Sequence, residues 1–205
     1  DEPGLGALTL PEFLRWTLHT FGARVAAVTS FGASGIVILD HLLRLQPDAR
    51  VITLDTQLLF EETYVQWQAI ERRYGMQVEA ILPALTPEQQ TVHYGPRLWQ
   101  TEPDICCDLR KVQPMRRAVQ GLDAWITGIR RDQGSSRSAT ELLAWDAANG
   151  LFKVSPLAFW TREEVWAYIH AHDLPYNALH DRGYGSVGCT HCTLPSGGQG
   201  EREGR

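Results

Sequence analysis

Four cysteines, arranged as two tight pairs, are the residues of this 205-residue chain best suited to specialised chemistry. Cys106 and Cys107 are adjacent in "EPDICCDLRK", while Cys189 and Cys192 form the CxxC motif of "GCTHC". Adjacent cysteines are poorly placed to bond to each other, because a disulfide between them would be strained. Thiolates are soft ligands, and four of them suit either a tetrahedral zinc ion or a 4Fe–4S cluster.

Metal binding explains the paired spacing better than four unrelated buried thiols do. The adjacent pair favours an iron–sulfur cluster, since structural zinc sites use two spaced cysteine pairs. A CxxC motif is also found in thiol redox proteins, so zinc and redox interpretations stay open at this point.

Two polar segments have the composition of anion-binding loops. The first, "TSFGASG" at 29–35, is rich in glycine and hydroxyl groups. It lacks the Lys-Ser or Lys-Thr of a Walker P-loop, which argues against nucleoside triphosphate hydrolysis. The second, "TGIRRDQGSSR" at 127–137, carries three arginines, which bind phosphate or sulfate through paired hydrogen bonds. A small-residue turn and a solvated charged loop are the plainer interpretations of these two segments.

The composition is that of an ordinary globular domain, with 43% hydrophobic and 21% charged residues and a formal net charge of −5. This charge argues against nucleic acid as a partner. The apolar runs are too short to cross a bilayer, and the first residues do not resemble a secretory signal. We therefore expect no membrane partner and a reducing, cytoplasmic location.

Short apolar segments alternate with helical patterns along the chain. Strands are predicted at 25–30, 51–56, 77–82 and 123–128, and this order is typical of an α/β fold with a doubly wound, mainly parallel sheet. Because the carboxyl ends of parallel strands share one edge, the two polar segments are expected to meet there.

The remaining segments are assigned more coarsely. A helical and irregular region at 83–122 contains the first cysteine pair, and a hairpin is predicted to turn at Asn149–Gly150. Residues 1–205 are predicted to form a single domain, with a flexible segment from about residue 194, where glycine and charge accumulate.

Several motifs together resemble the assimilatory adenylylsulfate (APS) and 3′-phosphoadenylylsulfate (PAPS) reductases, in particular the iron–sulfur-containing type. The resemblance runs from about residue 20 to the end and rests on "TSFGAS", "TLDTQLLFEETY", "CCDLRKVQPMRRAV", "WITGIRRDQGSSRS", "LPYNALHDRGYGSVGC" and "GEREGR". It implies a fold related to the PP-loop, or adenine nucleotide alpha-hydrolase-like, enzymes. It also implies reduction of APS to sulfite and AMP through an enzyme S-sulfocysteine, with thioredoxin or a glutaredoxin-like dithiol as reductant, in sulfate assimilation. A homo-oligomer is plausible for this family.

The resemblance also assigns roles to individual residues. Substrate binding falls to the first loop, to backbone groups at the strand ends and to arginines, namely Thr29, Ser30, Gly32, Leu54, Asp55, Thr56, Gly128, Arg130, Arg131 and Arg137. Lys111 is implied between cluster and substrate, and Arg202 and Arg205 are implied to clamp the sulfate. One 4Fe–4S cluster per chain would be bound by Cys106, Cys107, Cys189 and Cys192, a signature that favours APS over PAPS without excluding dual use.

Two departures from the family pattern qualify these expectations. The nucleophilic cysteine of the family lies in a Glu-Cys-Gly-Leu-His segment beyond "EREGR". Residues 1–205 are therefore expected to bind substrate without turnover. The natural protein is expected to carry that segment. Gln57 stands where relatives commonly have glycine. Two other classes stay open: an ATP-using PP-loop enzyme, disfavoured because the Ser-Gly-Gly-x-Asp-Ser loop is missing, and a non-catalytic iron–sulfur or zinc protein that retains the nucleotide-binding fold.

Overall fold

A computed structural model describes residues 4–196 and Gly204, and within this part of the chain six strands form one sheet. The strands are β1 (Val25–Val28), β2 (Val51–Leu54), β3 (Glu79–Ile81), β4 (Ala124–Ile126), β5 (Leu143–Asp146) and β6 (Leu151–Val154). Their order is β3-β2-β1-β4-β6-β5, and every neighbouring pair is parallel except β5 with β6. The predicted α/β class with a mainly parallel sheet is confirmed, including the hairpin that turns at Asn149–Gly150.

The helices are α1 (Leu10–Phe21), α2 (Ala33–Leu45), α3 (Glu61–Tyr74), α4 (Pro87–Tyr94), α5 (Leu98–Thr101), α6 (Pro103–Cys107), α7 (Gln113–Ala118) and α8 (Arg162–Ala171). At the start of α8, the Glu164 carboxylate accepts a hydrogen bond from the Thr161 amide at 2.7 Å, which satisfies a donor that a helix terminus leaves free. Glu12 does the same for Thr9 at α1. None of the helices among the described residues is long and apolar enough to cross a membrane.

Helices cover both faces of the sheet, and the alternation of side chains along each strand supplies both cores. On one face, Val25 and Ala27 of β1 belong to the larger core, with Phe13 of α1 and Val37 of α2. On the opposite face, Ala26 joins a smaller core that includes Ala118 at the end of α7. The smaller core covers only part of that face of the sheet, and a cleft lies over the rest.

A π-helical turn, Asp108–Val112, joins α6 to α7. Pro114 has no amide hydrogen, and its ring crowds the carbonyl four residues earlier, so the α-helical hydrogen-bond ladder cannot continue here. The Gln113 amide instead donates to the Asp108 carbonyl, five residues back. Such wide turns recur at functional sites, and this one directly follows the adjacent cysteines.

A buried carboxylate, Asp40, ties three helices together on the far side of the sheet. Its side chain is 0% exposed and accepts hydrogen bonds from the Tyr74 hydroxyl at 2.6 Å, the Tyr168 hydroxyl at 2.7 Å and Arg44 Nε at 3.0 Å. Burial alone would raise the pKa of Asp40, but these donors outweigh it and hold the pKa below its ordinary value. Asp40 therefore stabilises the contact of α2 with α3 and α8 in its charged form.

Replacing Asp40 by asparagine is expected to lower the free energy of unfolding at pH 7 by about 2 kcal/mol, because the donors then face a neutral amide. Since the folded-state pKa of Asp40 is lowered, its contribution is present above the ordinary carboxyl value and disappears as the pH falls through the folded-state pKa. Urea unfolding from pH 7 down to pH 3 should therefore show the gap between wild type and variant closing in acid. The exposed Asp48, replaced in the same way, is the control. An equal loss for both variants, or a gap independent of pH, would contradict this role.

Candidate functional site

The strand order reverses between β1 and β4, and the loops that follow these two strands meet at the carboxyl edge of the sheet. The contact is tight. A Cβ atom added to Gly128 would lie 2.9 Å from the Gly35 nitrogen and 3.0 Å from Ser34 Cβ. The two polar segments are therefore adjacent, as the alternating pattern of strands and helices predicts.

A cleft opens beside this contact and has two connected halves. The apolar half, of about 460 Å³, lies against Leu54, Met115 and Trp125. The polar half, of about 410 Å³, lies between the loop at Gly32 and the loop at Gly128. Both halves share one set of lining residues: Val28, Thr29, Ser30, Lys111, Arg137 and Val187. The two halves meet at two cationic side chains, Lys111 and Arg137. Their combined volume and this arrangement suit an elongated molecule with an apolar ring at one end and an anion at the other.

Most of the residues expected to bind substrate line this cleft. Leu54 and Thr56 lie in the apolar half, Gly32 and Gly128 in the polar half, and Thr29, Ser30, Lys111 and Arg137 in both. Four elements that are distant in sequence, the loops after β1, β2 and β4 and the π-helical turn, supply these groups.

Asp55 shapes the loop after β2 instead of lining the cleft. Its carboxylate accepts hydrogen bonds from the Gln57 amide and the Tyr64 hydroxyl, both at 2.8 Å. Gln57 has φ 58°, a left-handed conformation that glycine adopts without steric cost. The left-handed backbone thus explains why glycine is expected at position 57. The hydrogen bond that the Gln57 amide donates to Asp55 helps to hold glutamine in this conformation.

Arg130 and Arg131 point away from the lining of the cleft. Arg130 is 1% exposed, pairs with Asp132 at 2.9 Å and contacts the Ser34 hydroxyl, so it links the two polar loops from beneath. Arg131 is exposed, lies 4.3 Å from the centre of the Phe159 ring and donates to the Thr140 carbonyl. Among the three arginines of this segment, Arg137 is the one that lines the cleft.

Sequence reasoning missed several lining residues of the apolar half, including Trp125, Met115 and Asn149. Trp125 is only partly buried, and its indole nitrogen donates to Asp146 at 3.0 Å. Trp125 pairs with Ala26 of β1, on the face that carries the smaller core. Because successive side chains of a strand point to opposite faces, the register of β4 against β1 was the signal that could have identified Trp125 as a residue of this face.

The CxxC segment packs against the loop after β2, which brings Cys189 close to the cleft. The Thr190 amide donates to the Leu58 carbonyl at 2.8 Å, and Thr56 Oγ1 lies 3.3 Å from Cys189 Sγ. Cys189 itself lines the apolar half. The tertiary fold therefore places one cysteine of the second pair in the wall of the cleft.

The two cysteine pairs influence each other electrostatically. Burial raises the pKa of the Cys192 thiol, and Cys189, Cys107 and Cys106 raise it further, while Lys111 lowers it. The pKa of Cys106 is likewise raised, first by burial and then by Cys107 and Cys189, against a hydrogen bond from Gln90. The two segments are therefore near enough for their thiols to shift one another's pKa, and Lys111 is near enough to lower that of Cys192.

Arg110, next to Lys111 in the π-helical turn, is buried among these thiols. It is 1% exposed, and its Nη1 donates to the Thr56 carbonyl at 2.8 Å. Its Nε and Nη2 have no hydrogen-bond acceptor within the described part of the chain. Burial lowers the pKa of Arg110, and the neighbouring Cys106 and Cys189 oppose that effect. A buried guanidinium with two unsatisfied donors requires negative charge nearby.

The spacing of the thiols bears on what they could bind. Among residues 4–196 and Gly204, no three His, Cys, Asp or Glu side chains converge closely enough to hold one metal ion. Four cysteine thiolates can bind either a tetrahedral zinc ion or a 4Fe–4S cluster. His191 stacks on Trp99, with ring centres 3.9 Å apart, and Arg202 and Arg205 lie outside the described residues.

The chain is similar to known proteins over most of its length. The family described as phosphoadenosine phosphosulfate reductase domain matches residues 24–195. Adenosine 5′-phosphosulfate reductase from Halalkalibacterium halodurans is 43% identical over 196 residues, which are 95% of this chain and 85% of the relative. The crystal structure of PAPS reductase from Candida auris superposes with a TM-score of 0.83 at 32% identity, over 93% of this chain and 92% of that one. FMN adenylyltransferase from Candida glabrata, at 15% identity and a TM-score of 0.62 over 92% of this chain and 62% of that one, shares the fold.

Substituting Gly128 by alanine is expected to lower the free energy of unfolding by about 1–3 kcal/mol, because the added Cβ would meet backbone atoms of Gly35 and Ser34 that cannot move aside cheaply. Gly6 is the matched control, since a Cβ there meets nothing within 4 Å. Urea unfolding of both variants measures the difference. Equal stability of the two variants would show that the loops are not in the tight contact described.

Proposed function

Because the chain belongs to the phosphoadenosine phosphosulfate reductase family, we propose that it reduces adenylylsulfate to sulfite and AMP. Relatives that are 41–47% identical over most of the chain are named adenosine 5′-phosphosulfate reductases. The reaction serves sulfate assimilation, and its electrons come from a dithiol protein such as thioredoxin or a glutaredoxin. A reducing compartment such as the cytoplasm keeps that dithiol and the cysteines of this chain reduced.

The observation that carries the proposal is the two-part cleft with Lys111 and Arg137 where its halves join and Cys189 in its wall. Adenylylsulfate has the matching shape, an adenosine at one end and a doubly anionic phosphosulfate at the other. The apolar half, with Leu54 and Thr56 at the end of β2, suits the adenosine. The polar half suits the phosphosulfate, which Thr29 and Ser30 can reach as hydroxyl donors.

The chemistry proceeds in two steps whose electrons balance. A cysteine thiolate attacks the sulfur of the sulfate group, the bond from that sulfur to the bridging oxygen breaks, and AMP leaves with the electron pair. A thiolate of the dithiol then attacks the cysteine sulfur of the S-sulfocysteine, so that sulfite leaves as a two-electron-reduced product. The second thiol closes the disulfide and regenerates the enzyme thiol. None of the four cysteines of this chain is assigned as the attacking thiolate, since all four are proposed as cluster ligands.

Positive charge is what this chain contributes to the first step. Negative charge builds on the AMP oxygen as the bond breaks, and an anionic thiolate must approach an anionic sulfate. Lys111 and Arg137 lie where the halves of the cleft join, so they can stabilise both charges. We propose Arg202 and Arg205, which lie beyond the described residues, as further partners of the sulfate.

We further propose that Cys106, Cys107, Cys189 and Cys192 hold one 4Fe–4S cluster. The interacting thiols supply four soft ligands, and the two unsatisfied N–H groups of Arg110 supply donors to sulfur. The bound cluster would contribute an electrostatic partner next to the substrate site. Lys111 lowers the pKa of Cys192 and also lines the cleft, so it lies between the thiols and the substrate.

PAPS is the alternative substrate, because the Candida auris structure with a TM-score of 0.83 is named a PAPS reductase. PAPS carries an additional 3′-phosphate. Among the described residues that line the apolar half, the lysine and arginine side chains are Lys111 and Arg137, which the 5′-phosphosulfate already engages. An extra phosphate would then be desolvated without a cation of its own, which favours APS.

The proposed function predicts sulfite release from APS by the protein produced from its complete gene, purified without oxygen and supplied with reduced thioredoxin. We expect kcat/KM for APS to exceed that for PAPS by roughly 100-fold, because a buried phosphate without a partner cation costs several kcal/mol. Comparable turnover of both nucleotides would make the protein a dual reductase. Binding of both without any sulfite would favour the non-catalytic alternative.

The cluster assignment predicts that Arg110→Met weakens iron retention, because the variant removes the buried cation and both donors that face the thiols. Iron per chain should fall to about half or less after purification, and the iron–sulfur absorption should bleach several-fold faster in air. Arg116→Met, at an exposed position in α7, is the control and should behave as wild type. If Arg110→Met keeps its iron and bleaches at the wild-type rate, the guanidinium does not serve the cluster.

A further inference from the structure

We propose that Ser186 is a substrate-binding residue whose hydroxyl donates a hydrogen bond to an oxygen of the phosphosulfate. The proposal rests on the proposed function, because it takes the anion of the polar half to be that group. It assigns a binding role to the segment that leads into the CxxC motif, which so far has served only to hold cysteines.

The first observation is position. Ser186 lines the polar half together with Gly185 and Val187, and across the same cavity lie Gly32 and Gly128 of the two polar loops. Lys111 and Arg137 line the same half. The surroundings of Ser186 are therefore cationic and built for an anion, and a hydroxyl donor adds to them.

The second observation is that the hydroxyl is unsatisfied. Ser186 Oγ is shielded from solvent and has no hydrogen-bond partner among the described residues. Leaving a buried hydroxyl unpaired costs about 1–3 kcal/mol, and the large majority of buried polar side-chain atoms are paired. Serine passes between staggered χ1 rotamers at little cost, so the hydroxyl can turn toward an anion in the cavity that it lines.

The third observation is that the segment is held in place at both ends. The Gly185 amide donates to the Ser196 hydroxyl at 3.2 Å, and the Gly188 amide donates to the Thr193 hydroxyl at 3.2 Å. Thr193 in turn donates to the Cys189 carbonyl at 2.9 Å. Ser186 thus sits in a braced loop three residues before a proposed cluster ligand, and little ordering is required when substrate binds.

A second serine provides a matched control. Ser155 is 0% exposed, and its hydroxyl also has no partner among the described residues. Ser155 follows β6 and is absent from the lining of both halves of the cleft. Removing each hydroxyl in turn separates a role in binding from the general effect of an unsatisfied buried group.

The test is titration calorimetry of the 205-residue chain with APS and with adenosine, which lacks the phosphosulfate. For Ser186→Ala we expect the Kd for APS to rise roughly tenfold or more, the gain from a hydrogen bond to a charged group, with the Kd for adenosine unchanged. Ser186→Thr, which keeps a hydroxyl, should bind APS within a few-fold of wild type. Ser155→Ala should leave both constants unchanged. The melting temperature of ligand-free Ser186→Ala should be equal to or above that of wild type, because an unsatisfied hydroxyl is gone.

Unchanged APS binding by Ser186→Ala would overturn the proposal. An equal loss for APS and adenosine, together with a lowered melting temperature, would make Ser186 a structural residue and would overturn it as well. If wild type binds neither ligand, the proposed function itself fails, and the Ser186 assignment fails with it. These three results are distinct from one another in the same set of titrations.

Discussion

The burial of one positive charge, Arg110, is the constraint on which the organisation of the site depends. Its guanidinium is 1% exposed and has two N–H groups without an acceptor among the described residues, a costly arrangement unless negative charge lies beside it. The groups that raise the pKa of Arg110 are Cys106 and Cys189, followed by Glu88. Because the pKa of Cys106 is itself raised, that thiol supplies negative charge only when something holds it deprotonated. A deprotonated four-thiolate site, and above all one that binds a metal cluster, would resolve the cost, because metal binding keeps cysteine ligands in their charged form.

The same few residues connect that charge to the cleft. Thr56 accepts a hydrogen bond from Arg110, contacts the Cys189 sulfur through its hydroxyl and lines the apolar half. Lys111 follows Arg110 in the π-helical turn that precedes Pro114. It lines both halves of the cleft and lowers the pKa of Cys192. Thr56 and Lys111 thus link the thiols to the cleft. A change in charge at the thiols therefore alters the electrostatic potential where the phosphosulfate is proposed to bind.

Much of this could be predicted from sequence, and the limits have physical causes. The sheet, the capping boxes at Glu12 and Glu164 and the meeting of the two polar loops depend on local patterns and on the rule for parallel strands. The directions of Arg130 and Arg131 could not be predicted, because they depend on Ser34, Asp132 and Phe159, which tertiary packing brings near. The position of Trp125 in the wall of the cleft could not be predicted from residue type, because the face on which a strand residue lies depends on pairing with β1.

The cluster assignment is tested most directly by metal analysis, with an absorption spectrum, of protein purified without oxygen. We expect about four irons per chain and a brown charge-transfer absorption, since the four cysteines are assigned to one 4Fe–4S cluster. One zinc per chain and no colour would contradict it. The thiols would then form a different kind of site, Arg110 would face a single ion, and the four cysteines would no longer favour APS.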